Sequence, residues 1–173
     1  ASRVRQKMEK VLSWAKVDGR REGENPARWR GHLEHRLPAR AKLARVQHHP
    51  ALPYADIGAF MAELRAHDGV SASALELTIL TAARTGEVIG ARWGEFDLEA
   101  KVWTIPAERM KAGREHRVPL SDAAVAAVER MKPLAPVKGG NVDPAAYVFP
   151  GQSKGKPLSN MAMLKCLERM GRT

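Results

Sequence analysis

The chain has 173 residues, 44% of them hydrophobic and 28% charged. That composition excludes wholesale disorder and suffices for one sizeable core or one and a half small domains. No apolar run approaches the length of a membrane span, the first residues show no signal-peptide pattern, and the single cysteine, Cys166, excludes an internal disulfide and points to a cytoplasmic protein. The net charge of +10 is uneven: residues 1–50 carry 13 Lys and Arg against 5 Asp and Glu, whereas residues 51–173 carry 16 against 14. A basic segment joined to a nearly neutral domain predicts a polyanionic partner, nucleic acid before any other, and no membrane. A solvated basic surface is the plainer alternative.

Residues 2–17 have helical periodicity, with Val4, Met8, Val11, Leu12 and Ala15 near one face. Glycines and a proline in "DGRREGENPARW" (18–29) break that pattern. Residues 30–53 are basic, contain three prolines and hold no lasting period, which predicts a linker that wraps a partner or crosses between domains. A compact domain is predicted from near Pro53. Ile57, Phe60, Met61 and Leu64 have helical spacing, and the helix ends by Gly69. Ser73 and Glu76 have capping-box spacing, predicting the next helix from there to about Arg84.

The pattern then shifts to short β-type runs, giving three antiparallel strands near 95–98, 101–105 and 115–119. Ser121 is placed to cap a helix that runs to about Met131. "KPLAPVKGGNVDP" (132–144) reads as a loop and "AYVFPG" (146–151) as a short buried strand. Ser159 is placed to cap a last helix with Met163, Leu164, Leu167 and Met170 on one face, ended by Gly171. Cys166 falls in that helix as a small core residue. The predicted class is α+β, mainly α, with a small three-stranded antiparallel sheet and no internal repeats.

Within "LTAARTGEVIGARW" (80–93) a permanent positive charge, Arg84, stands where the core side of a buried helix should continue. This stretch, followed by the sheet and "ERMKAGREHRVPLS" (108–121), resembles the tyrosine recombinase, or phage integrase, family, most of all the integrases of prophages and genomic islands. The family's first box reads roughly T-G-x-R-x-x-E. Here it stands as Thr81-Ala82-Ala83-Arg84-Thr85-Gly86-Glu87, with Ala82 in place of the usual glycine. The segment Trp93 to Asp97 fits as well, "YVFPG" and the Ser159 helix resemble the next elements, and residues 4–29 resemble the end of the family's core-binding domain. The resemblance implies an integrase-type catalytic domain, with residues 1–29 the last helix of the core-binding domain, 30–52 a basic linker and 53–173 the first part of the catalytic domain.

The family also uses a His-x-x-Arg box, a later His or Trp, and a nucleophilic tyrosine. None of the six histidines is followed three residues later by arginine, and Tyr54 and Tyr147 precede the position expected for the nucleophile. The resemblance thus implies an integrase truncated before these boxes, able to bind DNA but not to cleave it. A first residue of Ala rather than Met suits an excised piece, and a processed N-terminus equally.

The roles implied by the resemblance suit the residue types. Arg84 would donate to the non-bridging oxygens of the scissile phosphate, a task for a planar, always-charged fork. Glu87, three residues on, would orient the guanidinium. Lys111, in the basic turn between strands, would be the general acid that protonates the departing 5′-oxygen. Arg109, Arg114 and Arg117 around it, and Arg40, Lys42 and Arg45 in the linker, would contact DNA phosphates. The implied partners are double-stranded DNA and, on it, a homotetramer, with the isolated fragment a monomer or dimer. No cofactor is implied.

Plainer assignments compete with each role. Arg84 could form an internal ion pair with Glu87 or Glu76, Glu87 could serve the next helix's N-terminus, and Lys111 could be a solvated turn lysine. The pairs His32/His35 and His48/His49 read as linker residues rather than metal ligands. Two other classes compete as well. A helix–turn–helix regulator would read Arg84-Thr-Gly-Glu as its turn, against which stands the Trp103/Val118 sheet. A basic RNA-binding domain would need stacking aromatics, and only 5% of residues are aromatic.

Overall fold

A computed structural model describes residues 2–38 and 51–172. The chain divides into two compact units, Ala1–Ala51 and Leu52–Thr173. In the first, helix α1 (Ser2–Val17) is followed by a loop that folds back on it. Asn25 is the clasp: its amide donates to the Glu9 carbonyl at 2.8 Å and to Ser13 Oγ at 2.7 Å. Arg5 donates to the Ala27 carbonyl at 2.6 Å and lies over the Trp29 ring. The loop thus covers the side of α1 that carries Arg5 and Glu9. Of the apolar face predicted from periodicity, Val4, Met8 and Val11 are exposed, whereas Leu12 and Ala15 are half-buried.

The second unit is built around α3 (Val70–Thr81), packed by α2 (Ile57–Ala66), α5 (Asp122–Glu129) and α6 (Ala162–Arg169). Ala72 to Leu77 are all buried, which is why this helix lacks an apolar stripe. It begins at Val70, behind Gly69, three residues earlier than the capping-box spacing predicts. Ser73 and Glu76 lie inside it, and the carboxylate of the buried Glu76 takes ion pairs from Arg65 of α2 at 2.6 Å and from Arg130 just past α5. The apparent box is a buried tie among three helices.

The three antiparallel strands are found as predicted, β1 (Phe96–Asp97), β2 (Val102–Ile105) and β3 (His116–Pro119), in the order β1-β2-β3. Trp103 pairs in register with Val118 and Ile105 with His116, so these four share the sheet's inner face, while Thr104 and Arg117 share the outer one. Trp103 and Ile105 are fully buried, and Phe96 stacks on Trp103 with centroids 5.2 Å apart. Ser121 caps α5, its Oγ accepting from the Ala124 N–H at 3.2 Å. The predicted loop at 132–144 holds a small hairpin, β4 (Val137–Lys138) with β5 (Asn141–Val142). The "AYVFPG" segment makes only isolated bridges, Arg92 to Tyr147 and Pro150 to Pro157, yet Val148 and Phe149 are fully buried. Cys166 is buried as predicted, whereas Leu164 is exposed, and Ser159 does not cap α6: the N-cap is Met161, and Ser159 offers only its carbonyl, to the Ala162 N–H.

Candidate active site

Helix α3 ends at Thr81, not at Arg84. Ala82 takes a left-handed conformation, φ 52°, and closes the helix as glycine commonly does. Two residues later Arg84 is extended, φ −71° and ψ 147°, and acts as N-cap of a second short helix, α4 (Thr85–Ile89). A five-residue helix after such a turn is not a recognition helix, which removes the helix–turn–helix alternative.

The Arg84 side chain is 70% exposed, not buried as its place after an apolar helix predicted. The reason is the Ala82 turn, which swings the chain outward, and burying a guanidinium would cost several kcal/mol. Glu87 is the buried member, 9% exposed at its side chain. Its Oε2 accepts from the Arg84 backbone N–H at 2.9 Å and its Oε1 from Arg84 Nη1 at 2.6 Å. Half a capping box forms, since arginine has no side-chain acceptor to return the bond. Both roles open for Glu87 in the sequence, cap and guanidinium partner, are thus filled by one carboxylate. Of the two internal partners weighed for Arg84, Glu87 is the one found, and Glu76 is held elsewhere.

Burial pushes the Glu87 carboxyl up, but the Arg84 backbone N–H, the Arg84 guanidinium and His116 outweigh it and hold the group below the usual carboxylate value. Glu87 is therefore an ionised counter-charge that steadies a guanidinium whose other face is free to solvent. The two residues border a cavity of about 350 Å³, closed on the far side by Met110, His116 and Val118. His116, at the start of β3 on the sheet's inner face, is a member of this cavity that the sequence reading left without a role. Its register with Ile105 is the signal that would have found it. A larger open groove of about 1080 Å³ lies between the start of α3, the 150–159 segment and α6, and contains none of the predicted site residues.

Lys111 stands in the turn between β2 and β3, exposed, directly after the cavity residue Met110. Arg114 and Arg117 are exposed too, in the turn and on the outer face of β3. Arg109, predicted alongside them as a DNA contact, turns inward instead: its guanidinium pairs with the Glu95 carboxylate and donates to the Glu87 carbonyl. Arg40, Lys42 and Arg45 lie outside the described residues, as do His48 and His49. Tyr147 is half-buried, with Arg92 over its ring and hydrogen-bonded to its hydroxyl at 3.2 Å. Among the described residues no three His, Cys, Asp or Glu gather as a metal group, and no helix is long and apolar enough to cross a membrane.

Residues 51–173 match the phage integrase family, and residues 1–32 match the phage integrase central domain. Prophage integrase IntZ of Escherichia coli K12 is 40% identical over 136 residues, covering 78% of this chain and 32% of that protein. The integrase of Enterobacteria phage P4 is 32% identical over 142 residues, covering 73% of this chain and 31% of that protein. The chain thus spans about a third of the length of these relatives. Among solved structures, the Tn1549 transposon integrase in complex with circular intermediate DNA has a TM-score of 0.67 at 14% identity, covering 98% of this chain and 55% of that one. XerA recombinase has a TM-score of 0.55 at 16% identity, covering 95% and 51%. The fold is that of these recombinases, and the chain belongs to the phage integrase family.

Proposed function

We propose that the whole protein catalyses site-specific recombination of a mobile element, cutting and rejoining duplex DNA through a 3′-phosphotyrosyl intermediate. A tyrosine oxygen bonds to the scissile phosphorus and passes its phenolic proton to water, and the P–O5′ bond breaks. Arg84 donates to the non-bridging oxygens as charge grows on them, a type of contact worth roughly 10²–10³ in rate. Glu87 holds the guanidinium in place. Lys111 gives its proton to the departing 5′-oxygen, which becomes the free 5′-hydroxyl. The energy of the diester stays in the phosphotyrosyl bond, so rejoining needs no nucleotide.

The observation that carries this reading is the Arg84–Glu87 pair: a guanidinium gripped on one side by a buried carboxylate and open on the other, at the rim of a cavity beside the Lys111 turn. An arginine serving only the core would not be left 70% exposed. Names of relatives add support: they include prophage integrases, and a neighbour of the same fold is a transposon integrase in complex with DNA. With DNA as substrate, the site of action is the cytoplasm, and the acting species is a homotetramer on two duplexes. Residues 1–173 alone, lacking any His-x-x-Arg match, bind duplex DNA as a monomer or dimer without cleaving it.

The test is strand cleavage by the whole protein on its attachment-site duplex, read as covalent protein–DNA adduct. Arg84→Ala is expected to abolish the adduct while changing DNA affinity little. Wild-type adduct formation by Arg84→Ala would refute the catalytic reading, and absence of any adduct from the unmodified whole protein would leave a DNA-binding module instead.

A further inference from the structure

We infer that Arg109 is a positioning residue, which fixes the root of the Lys111 turn against the segment that carries Arg84 and Glu87. The inference rests on the catalytic reading above. Arg109 ends the helical turn Ala107–Arg109 that closes β2, two residues before Lys111. Only 21% of its side chain is exposed, although residues 111–117 around it are all exposed. Nη1 donates to both oxygens of Glu95, and Nη2 donates to the backbone carbonyl of Glu87. Glu95 is itself 9% exposed at its side chain, and its Oε2 also accepts from the Trp103 indole N–H at 3.0 Å. Trp103 is fully buried at the centre of the sheet.

One guanidinium thus links three places: the sheet core through Glu95 and Trp103, the last turn of α4 through the Glu87 carbonyl, and the start of the Lys111 turn through its own backbone. Gly90 shows how closely the fit is made. A Cβ at that position would stand 2.9 Å from Arg109 Nη2 and 3.1 Å from the Gly86 carbonyl oxygen. A guanidinium this far from water is held only where its donors are met, and a phosphate-contacting arginine would need them free. The chemistry asks for such a link. A general acid must reach its proton acceptor within hydrogen-bond distance, and displacement by about 1 Å can cost on the order of a hundredfold in rate. Lys111 is exposed, so the direction in which its turn leaves the domain is set at its root.

The test compares cleavage by the whole protein of its attachment-site duplex and of the same duplex with sulfur replacing the bridging 5′-oxygen of the scissile phosphate. A thiolate leaves without a proton, so a defect confined to the general acid vanishes on the sulfur substrate. Arg109→Ala is expected to slow cleavage of the oxygen substrate by about ten- to a hundredfold and to approach the wild-type rate on the sulfur substrate, as Lys111→Ala should. Arg109→Lys keeps the charge but cannot span Glu95 and the Glu87 carbonyl together, and should fall between. It also guards against loss of fold: in residues 1–173, its amide exchange should rise over residues 110–115 while α3 and β2 keep their protection. Equal slowing on both substrates, exchange rising through α3 and β2, or wild-type rates on both would each overturn the inference and leave the catalytic reading standing. Wild-type cleavage of the oxygen substrate by Lys111→Ala would remove that reading, and the inference with it.

Discussion

Glu87 receives both the backbone N–H and the guanidinium of Arg84, at 2.9 and 2.6 Å, so one buried carboxylate caps α4 and clamps the arginine that starts it. Its pKa lies below the ordinary carboxylate value of 4.5. A depressed folded-state value means that the stabilisation is complete above the unfolded-state value and is lost as pH falls through the folded one. Acid should therefore loosen the α4 turn below about pH 4.5. Glu87→Gln keeps the shape, but its amide cannot accept both bonds. It should cost about 1 kcal/mol at neutral pH, discounted for the exposure of Arg84, and flatten part of the decline of stability below pH 4.5. Urea denaturation of both proteins between pH 3 and 7 would check this, and parallel curves would refute it.

Ala82 is the one residue where this chain departs from the family's first box, and it holds the left-handed conformation that glycine adopts without strain. Strain at a left-handed alanine exceeds the extra unfolded-state entropy of glycine. Ala82→Gly should thus stabilise the domain by about 0.5–1 kcal/mol, raising the thermal midpoint by about 2 °C. Lys101 is the internal comparison. It also has positive φ, 54°, but its ammonium pairs with Asp122 at 2.6 Å, so Lys101→Gly should gain less. Calorimetric melting of the two variants distinguishes them, and a lower midpoint for Ala82→Gly would contradict the argument.

These residues also show which features a sequence displays. The three strands and the Ser121 cap were legible because alternation and capping act over a few neighbouring residues. The end of α3 was not, because alanine is the best helix former and gives no sign of a left-handed turn. Nor was the inward turn of Arg109: its acceptors, on Glu95 and Glu87, are 14 and 22 residues away in sequence and are brought near only by the sheet. The Ser73/Glu76 spacing misled for a related reason, since Glu76 serves arginines from two other helices. Of the site, the residue types were visible in the family box, whereas the exposure of Arg84 and the burial of Glu87 depended on a backbone turn at Ala82.

The Glu76 tie makes its own prediction. The carboxylate is 2% exposed at its side chain, and its two arginines are 45% and 44% exposed. Removing either arginine leaves the carboxylate one partner, so Arg65→Ala or Arg130→Ala should each cost about 1 kcal/mol. Removing both leaves a buried charge unpaired, and the double variant should cost clearly more than the sum, with a coupling of about 1 kcal/mol or more. Glu76→Leu, which takes away the charge but keeps the volume, should cost less than the double variant. Urea denaturation midpoints of the unmodified chain and the four variants decide it. Simple additivity of the arginine losses would mean that water or another donor already serves Glu76.

The exposed arginines should separate from Arg109 by salt. Arg114 and Arg117 carry free charge at the surface of the turn and the outer face of β3, whereas the Arg109 donors are taken by Glu95 and the Glu87 carbonyl. A side chain that neutralises one phosphate releases about 0.9 counterion, which appears as a change of about 1 in the slope of log K against log salt. Residues 1–173 binding a labelled duplex, followed by fluorescence anisotropy across a salt series, should show the slope falling by about 1 for Arg114→Ala and for Arg117→Ala. The slope for Arg109→Ala should match the unmodified chain, since the charge it removes is paired with Glu95 and meets no phosphate. A loss of slope in Arg109→Ala would mean that the Arg109 guanidinium leaves Glu95 to meet the DNA, and an unchanged slope in the other two would place the phosphates away from the β2–β3 turn.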